Sequence, residues 1–271
     1  MANAETGTAA TGYRAREVTV RGTRIHLLAG GAGDPLLYLH GAGDPGLWTP
    51  ALAALAGHFS VFRPDHPGFG ASGELADLDS VHELAFFCLD LLDELGLDRV
   101  VLAGHSLGGW LAADLATIEP ARVSKLVLVA PAGLRPQQPV PDVFRLSPTE
   151  LAELLYHTAS ARSAAAAEAA QLAEDTDAFA RYLRNRAATA HLGWNPYLHD
   201  PKLARRLHRI TAPALILWGA GDRLLPASGA SQWAALLPAA QVRIIEEAGH
   251  LPLTEQPAAT VAAILSFCAE G

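Results

Sequence analysis

Six short runs dominated by apolar residues constrain this chain more than any other feature: PLLYLHG (35–41), HFSVFRPD (58–65), RVVLAGHS (99–106), KLVLVAP (125–131), ALILWG (214–219) and VRIIE (242–246). A strand with one wet face alternates polar and apolar side chains; a nearly continuous run reads as a strand buried on both faces, as in a parallel sheet covered by helices. Helical patterns lie between the runs. In 80–96, Leu84, Phe87, Cys88, Leu91, Leu92 and Leu95 form one apolar stripe before Gly96, and Leu107, Leu111, Leu115 and Ile118 repeat it in 107–119. Segments 228–237 and 256–269 read as two more helices. Alternation of this kind predicts an α/β fold, with a mostly parallel sheet, helices on both faces and right-handed crossovers. Ahead of it, EVTV (17–20) and RIHLL (24–28), separated by Arg21-Gly22-Thr23, predict an antiparallel hairpin, and residues 1–16 read as a disordered tail.

One stretch breaks the alternation. Residues 133–209 contain no convincing strand, include the helix-favouring SARSAAAAEAAQLAE (160–174), and carry prolines at 136, 139, 141, 148, 196 and 201. The segment holds 10 Lys/Arg and 8 Asp/Glu in a chain whose net charge is −8. It reads as a helical lid inserted into a core domain formed by 17–132 and 210–271, since long insertions between strands are usually functional.

Chemistry concentrates at Gly104-His105-Ser106-Leu107-Gly108-Gly109, which follows an apolar strand and opens an amphipathic helix. A serine at such a turn is forced into a strained conformation that lifts its hydroxyl above the sheet, making Ser106 the candidate nucleophile. A serine needs a base, and the base needs an orienting acid. Of the 11 histidines, His250 stands in the loop EEAGHLP after the last strand; His58, His82, His157, His191, His199 and His208 fall before a strand, in a helix or in the insertion. Asp222, just past ALILWG, is the candidate acid, and the chain order Ser, Asp, His is the one this architecture uses. Glu246 and Glu247 lie too near His250 in sequence to reach its far nitrogen. For the oxyanion hole, Leu107 N–H sits at a helix N-terminus and Ala42 N–H in the loop His40-Gly41-Ala42-Gly43, with Gly43 as the alternative donor.

That loop carries a rival reading. Gly41-x-Gly43-x-x-Gly46 follows a strand and has Asp65 about 20 residues on, which mimics a dinucleotide fingerprint and an oxidoreductase. It follows the third strand rather than the first, Pro45 intrudes on the phosphate turn, and the Ser-Asp-His set is left unexplained.

HGAG (40–43), RPDHPGFGASG (63–73), GHSLGG (104–109), LILWGAGDRLLP (215–226) and EAGHLPLTEQP (247–257), in this order, resemble the α/β-hydrolase superfamily from about Glu17 to Ala269. The resemblance implies a sheet of about eight strands, a Ser-His-Asp triad, no cofactor and a cap after the sixth strand, where the insertion falls. An aspartate at the elbow would imply a dehalogenase or epoxide hydrolase; Ser106 makes carboxyl-ester hydrolysis the expectation. The cap and WNPYLHDPKLARRLHRI (194–210) also resemble meta-cleavage-product hydrolases, which split carbon–carbon bonds. Those enzymes usually carry Asn before the elbow serine and Trp after the histidine, where this chain has His105 and Leu251. A carbon–carbon hydrolase, with Arg181, Arg184 or Arg186 holding a substrate carboxylate, and a ligand receptor with an idle triad are the alternatives.

The acidic balance argues against nucleic acid and for a small-molecule partner, an apolar or aromatic ester. Gly41, Gly43, Trp48, His105, Trp194 and Tyr197 are the candidate substrate contacts, with Phe144, Tyr156, Phe179 and Tyr182 adding aromatic surface to the insertion. The N-terminal segment lacks the apolar core of a signal peptide and no run reaches membrane-spanning length, so the expectation is a cytoplasmic monomer or homodimer without membrane attachment. Cys88 and Cys268, both within apolar helical patterns, read as buried free thiols.

Overall fold

A computed structural model of the chain describes residues 12–75 and 77–270. The apolar runs form one eight-stranded sheet: β1 (Tyr13–Val20), β2 (Thr23–Gly30), β3 (Pro35–Leu39), β4 (Ser60–Pro64), β5 (Val100–His105), β6 (Val123–Val129), β7 (Ala214–Gly219) and β8 (Ala240–Ile245), in the spatial order β1-β2-β4-β3-β5-β6-β7-β8. The pairs β1/β2 and β2/β4 are antiparallel and the rest parallel. The hairpin turns at Arg21 and Gly22, both with positive φ. Its first strand is longer than expected: Tyr13 to Arg16, assigned to a disordered tail, pair with Gly30 to Leu27, and residues 1–11 of that assignment lie outside the described residues.

Helices α1 (Pro50–Ala56), α2 (Val81–Glu94), α3 (Leu107–Ile118), α4 (Pro148–Leu155), α5 (Ala159–Gln171), α6 (Thr176–Gly193), α7 (Gly229–Ala234), α8 (Pro252–Glu255) and α9 (Pro257–Ala269) complete the fold. Their starts are written in the sequence: Thr49, Ser80, Thr158 and Asp175 side chains accept first-turn N–H groups, and Ser147 and Glu150 form a reciprocal capping box. Alternate strand residues feed two cores. Leu102, Leu126, Leu128 and Ile216 pack with α2, α3 and α7; Val101, Val127, Leu215 and Leu217 pack with α1 and α9. One run departs from its reading as doubly buried: β8 is an edge strand whose Arg243 is exposed and whose Ile244 is 42% exposed. Cys88 is buried and Cys268 half-buried, both as free thiols.

Between β6 and β7 the regular elements are helices, joined by loops and by a bridge from Gly133 to His199. The insertion is tied down at several points. Arg184 donates to Gly70 O (3.1 Å) and to Ser72 O, Asn185 Nδ2 donates to Asp44 O (3.1 Å), and Arg206 pairs with the buried Asp114 on α3 (2.7 Å). Helix α5, by contrast, has no buried residue. No described helix is long and apolar enough to cross a membrane.

Candidate active site

Ser106 occupies the turn from β5 into α3 with φ 53° and ψ −113°, a conformation costly for any residue with a Cβ. The turn closes because its neighbours are glycines: a Cβ on Gly104 would lie 2.1 Å from Gly108 O, and one on Gly108 would lie 2.1 Å from Leu39 O. Backbone bonds fix the elbow on both sides, from Ser106 N to Val129 O (2.9 Å) and from Ala132 N to Ser106 O (3.0 Å).

Beyond β7 and β8, the structure joins the other two candidates. His250 Nδ1 and Asp222 Oδ2 are 2.8 Å apart, with His250 2% and Asp222 7% exposed. Asp222 Oδ1 accepts Leu224 N and Leu225 N (2.9 Å each), and Oδ2 also accepts the Trp218 indole N–H (3.1 Å). With a carboxylate on Nδ1, the histidine presents its Nε2 lone pair outward, the form a general base requires. Its backbone is held as well: His250 N donates to Leu155 O (2.8 Å), and His250 O accepts from His105 Nε2 (2.8 Å), the residue adjacent to Ser106. The His105 and His250 ring centroids lie 4.9 Å apart. Among the described residues no hydrogen bond joins Ser106 Oγ to His250; contacts of this kind often tighten only around substrate.

The loop at 40–46 is held from beneath. His40 Nε2 accepts His66 N (3.1 Å), so its proton sits on Nδ1, which donates to Gly41 O (2.8 Å). Gly41 O also accepts Asp44 N (3.3 Å). A trans peptide points its N–H opposite to its C=O, so Ala42 N–H is aimed away from His40. Neither Ala42 N nor Leu107 N donates a hydrogen bond among the described residues. Behind the loop, the fully buried Arg63 pairs with Asp44 (2.5 Å) and with Asp65.

Asp65 answers the dinucleotide reading. Its Oδ1 takes Arg63, and its Oδ2 takes Ala71 N (2.9 Å) and His26 Nδ1 (3.2 Å); at 2% exposure it is a buried structural anchor, closed to a ribose. Burial would raise this carboxyl, but the His26 hydrogen bond and the Arg63 charge hold it well below the usual carboxylate range.

The expected substrate contacts divide. Gly41 and Gly43 lie on the loop that carries Ala42. His105 is packed against Gly41 and spends its Nε2 on the His250 carbonyl, so it orders the loop of the base. Trp48 stacks on Tyr13, with centroids 5.0 Å apart. Trp194 is 59% exposed and rests on Phe144, and the Tyr197 hydroxyl donates to Pro141 O (2.6 Å) and accepts from Val143 N (2.8 Å). None of these last contacts reaches Ser106, Asp222 or His250; they pack the hairpin and the insertion. Sequence reasoning missed Glu255, which reaches the site through the backbone of Gly249 (2.6 Å); Trp218, which by sequence flanks the motif loops or only packs at the end of a buried strand, donates to Asp222. Removing the indole donor by Trp218→Phe should lower kcat by about tenfold while the protein stays folded, as expected for one hydrogen bond to a charged group; kinetics beside a melting curve check this, and unchanged kcat would contradict it.

Two buried imidazoles, His40 and His66, and the half-buried His105 lie around the site. Burial pushes His40 and His105 down to about 4, helped by the Arg63 charge near His40 and by His250 near His105, and burial holds His66 well below its ordinary value. Unfolded, each titrates near 6.5. Between about pH 6.5 and 4 the unfolded chain therefore binds more protons and stability falls as pH falls, with Asp65 adding to the loss only below the ordinary carboxylate pKa. Urea unfolding across that range should give a slope near pH 5 of about two to three protons taken up on unfolding; a flat profile would contradict neutral burial of these residues.

A strand–turn–helix elbow at the carboxyl edge of a mostly parallel sheet, with an Asp–His pair on the neighbouring loops, defines a hydrolase of the α/β type. The chain belongs to the alpha/beta hydrolase family, whose model matches residues 36–264. It is similar to the 2-hydroxy-6-oxononadienedioate/2-hydroxy-6-oxononatrienedioate hydrolase of Cupriavidus pinatubonensis, 32% identical and covering 84% of each chain. It is also similar to the 2-hydroxy-6-oxo-6-phenylhexa-2,4-dienoate hydrolase of Burkholderia cepacia, 29% identical and covering 92% of each chain. Among solved structures, the carboxylesterase CesB of Bacillus subtilis superposes with a TM-score of 0.74 at 24% identity, over 96% of this chain and 92% of that one.

Proposed function

We propose that this hydrolase cleaves small carboxylic esters through an acyl-enzyme on Ser106, with 133–209 as a lid over a core of 17–132 and 210–271. The observation that carries the reading is the 2.8 Å His250–Asp222 bond on a loop pinned to the residue beside Ser106. His250 Nε2 takes the Ser106 proton as Oγ attacks the ester carbonyl. The oxyanion is received by Ala42 and Leu107 N–H, the latter at the positive end of α3. Collapse expels the alcohol, which takes its proton from His250. A water, deprotonated by the same imidazole, then releases the acid and restores the hydroxyl.

Carbon–carbon hydrolysis on the same residues is the second reading, favoured by the two relatives named above. Against it, two of the insertion's three candidate carboxylate anchors are engaged elsewhere: Arg184 donates to Gly70 O and Ser72 O, and Arg186 to Phe144 O and Leu146 O. Hydrolysis of p-nitrophenyl acetate, butyrate and octanoate tests the choice. Sustained turnover that vanishes in Ser106→Ala supports the esterase. A burst without turnover, alongside cleavage of a vinylogous diketone acid, would support the second reading, and stable binding with no turnover a receptor.

A further inference from the structure

We propose that Glu255 is a positioning residue for the base, and that it makes the seating of the insertion a condition for activity; this rests on the reading of His250 as general base. Glu255 ends α8, five residues after His250, so that the Pro252 turn folds its carboxylate back beneath the base loop. There it accepts two backbone N–H groups from opposite sides: Gly249 N on Oε2 (2.6 Å) and His157 N on Oε1 (2.8 Å). The first belongs to the residue before the base, the second to the linker between α4 and α5. A third bond closes the unit, since His250 N donates to Leu155 O (2.8 Å). The fit leaves no slack: a Cβ on Gly249 would lie 2.5 Å from Leu155 O and 3.0 Å from His157 N.

Both carboxylate oxygens are thus spent on amides that carry the base and the insertion, and charge-assisted bonds of this kind are among the stronger ones available to a backbone. The imidazole is aimed by Asp222, but the place from which it is aimed is set by Leu155, His157 and Glu255. Lifting the end of α4 together with the linker to α5 would break the Leu155 and His157 contacts and release the loop that holds His250. The insertion is therefore part of the catalytic apparatus through its backbone, whatever its side chains do toward substrate.

The test uses the full chain with Glu255→Ala, Glu255→Gln and Gly249→Ala, each checked by thermal melting. The readouts are the rate at which a fluorophosphonate probe labels Ser106, and kcat and KM for a p-nitrophenyl ester. Glu255→Ala should slow labelling and kcat by about 30- to 100-fold, the scale of a small misplacement of a reacting group, with KM within about threefold of wild type. Glu255→Gln keeps one carbonyl acceptor and should lose about tenfold. Gly249→Ala, which keeps the Glu255 carboxylate but wedges the linker away from the base loop, should reproduce the kcat defect. A folded Glu255→Ala labelled at the wild-type rate, or one whose KM rises with kcat unchanged, overturns the proposal. If that variant does not fold, wild-type labelling rates in both of the others overturn it. A wild type that takes no label at Ser106 overturns the nucleophile reading and this proposal with it, whereas a labelled wild type beside unaffected variants overturns this proposal alone.

Discussion

Ser106→Ala and His250→Ala are each expected to lower kcat on the order of 10⁴-fold or more, with far smaller changes in melting temperature. The two should cost about the same, because nucleophile and base act as one unit: an alkoxide cannot form without a proton acceptor, and the acceptor has nothing to activate without Oγ. The double variant should be little worse than either single one. Ser106 makes no side-chain hydrogen bond among the described residues, so replacing its hydroxyl with hydrogen removes chemistry rather than structure. Among the described residues the His250 ring hydrogen-bonds to Asp222 alone, while its backbone contacts to Leu155 and His105 survive the truncation. Residual turnover should come from binding and the backbone donors. Additive losses, or near-wild-type rates in either variant, would contradict the assignment.

The second large effect is expected at Asp222→Asn, about 10³-fold in kcat. Each carboxylate oxygen has two donors: Leu224 N and Leu225 N on Oδ1, the Trp218 indole N–H and His250 Nδ1 on Oδ2. An asparagine has one acceptor oxygen, so its NH₂ must face one pair of donors. If it faces the backbone pair, two buried N–H groups lose their acceptor and the loop distorts; if it faces the imidazole, His250 is driven to the tautomer with its proton on Nε2, and its basic lone pair turns away from Ser106. Either arrangement damages the base, and the first also costs about 1–3 kcal/mol for each unsatisfied group. The variant should therefore lose stability as well as rate. Activity within tenfold of wild type at unchanged stability would sink the role given to Asp222.

How much of this could be read beforehand follows from the range of each interaction. Five of the six strand runs and the elbow were legible because burial on both faces and a strand-to-helix glycine turn are local properties, visible within about ten residues. Asp222 and His250 could be named because each stands directly after a strand whose end the sheet brings to a common edge. Contacts between segments far apart in sequence left no such trace. Glu255 meets His157 and Asn185 meets Gly70 across long stretches of chain, and nothing in either segment alone announces its partner. Trp218 was legible as a buried strand residue but not as a donor to Asp222, since an indole in an apolar run looks the same whether or not its N–H is used. The edge position of β8 was hidden for the opposite reason: Val242, Ile244 and Ile245 look like a central strand, and only the sheet order shows that β8 has a single neighbour. Composition does not say which way the aromatic rings of the insertion point, so their placement was not legible; Trp194 faces solvent and Tyr197 is bound to Pro141 and Val143.

Peptide mapping by mass spectrometry after incubation with a fluorophosphonate tests the central claim most directly, because it identifies the nucleophilic atom without presupposing the substrate. The account predicts one adduct, on the peptide containing Ser106, absent from Ser106→Ala and formed on the order of 10³-fold more slowly in His250→Ala. An adduct on another residue, or ester turnover that persists in Ser106→Ala, would contradict it.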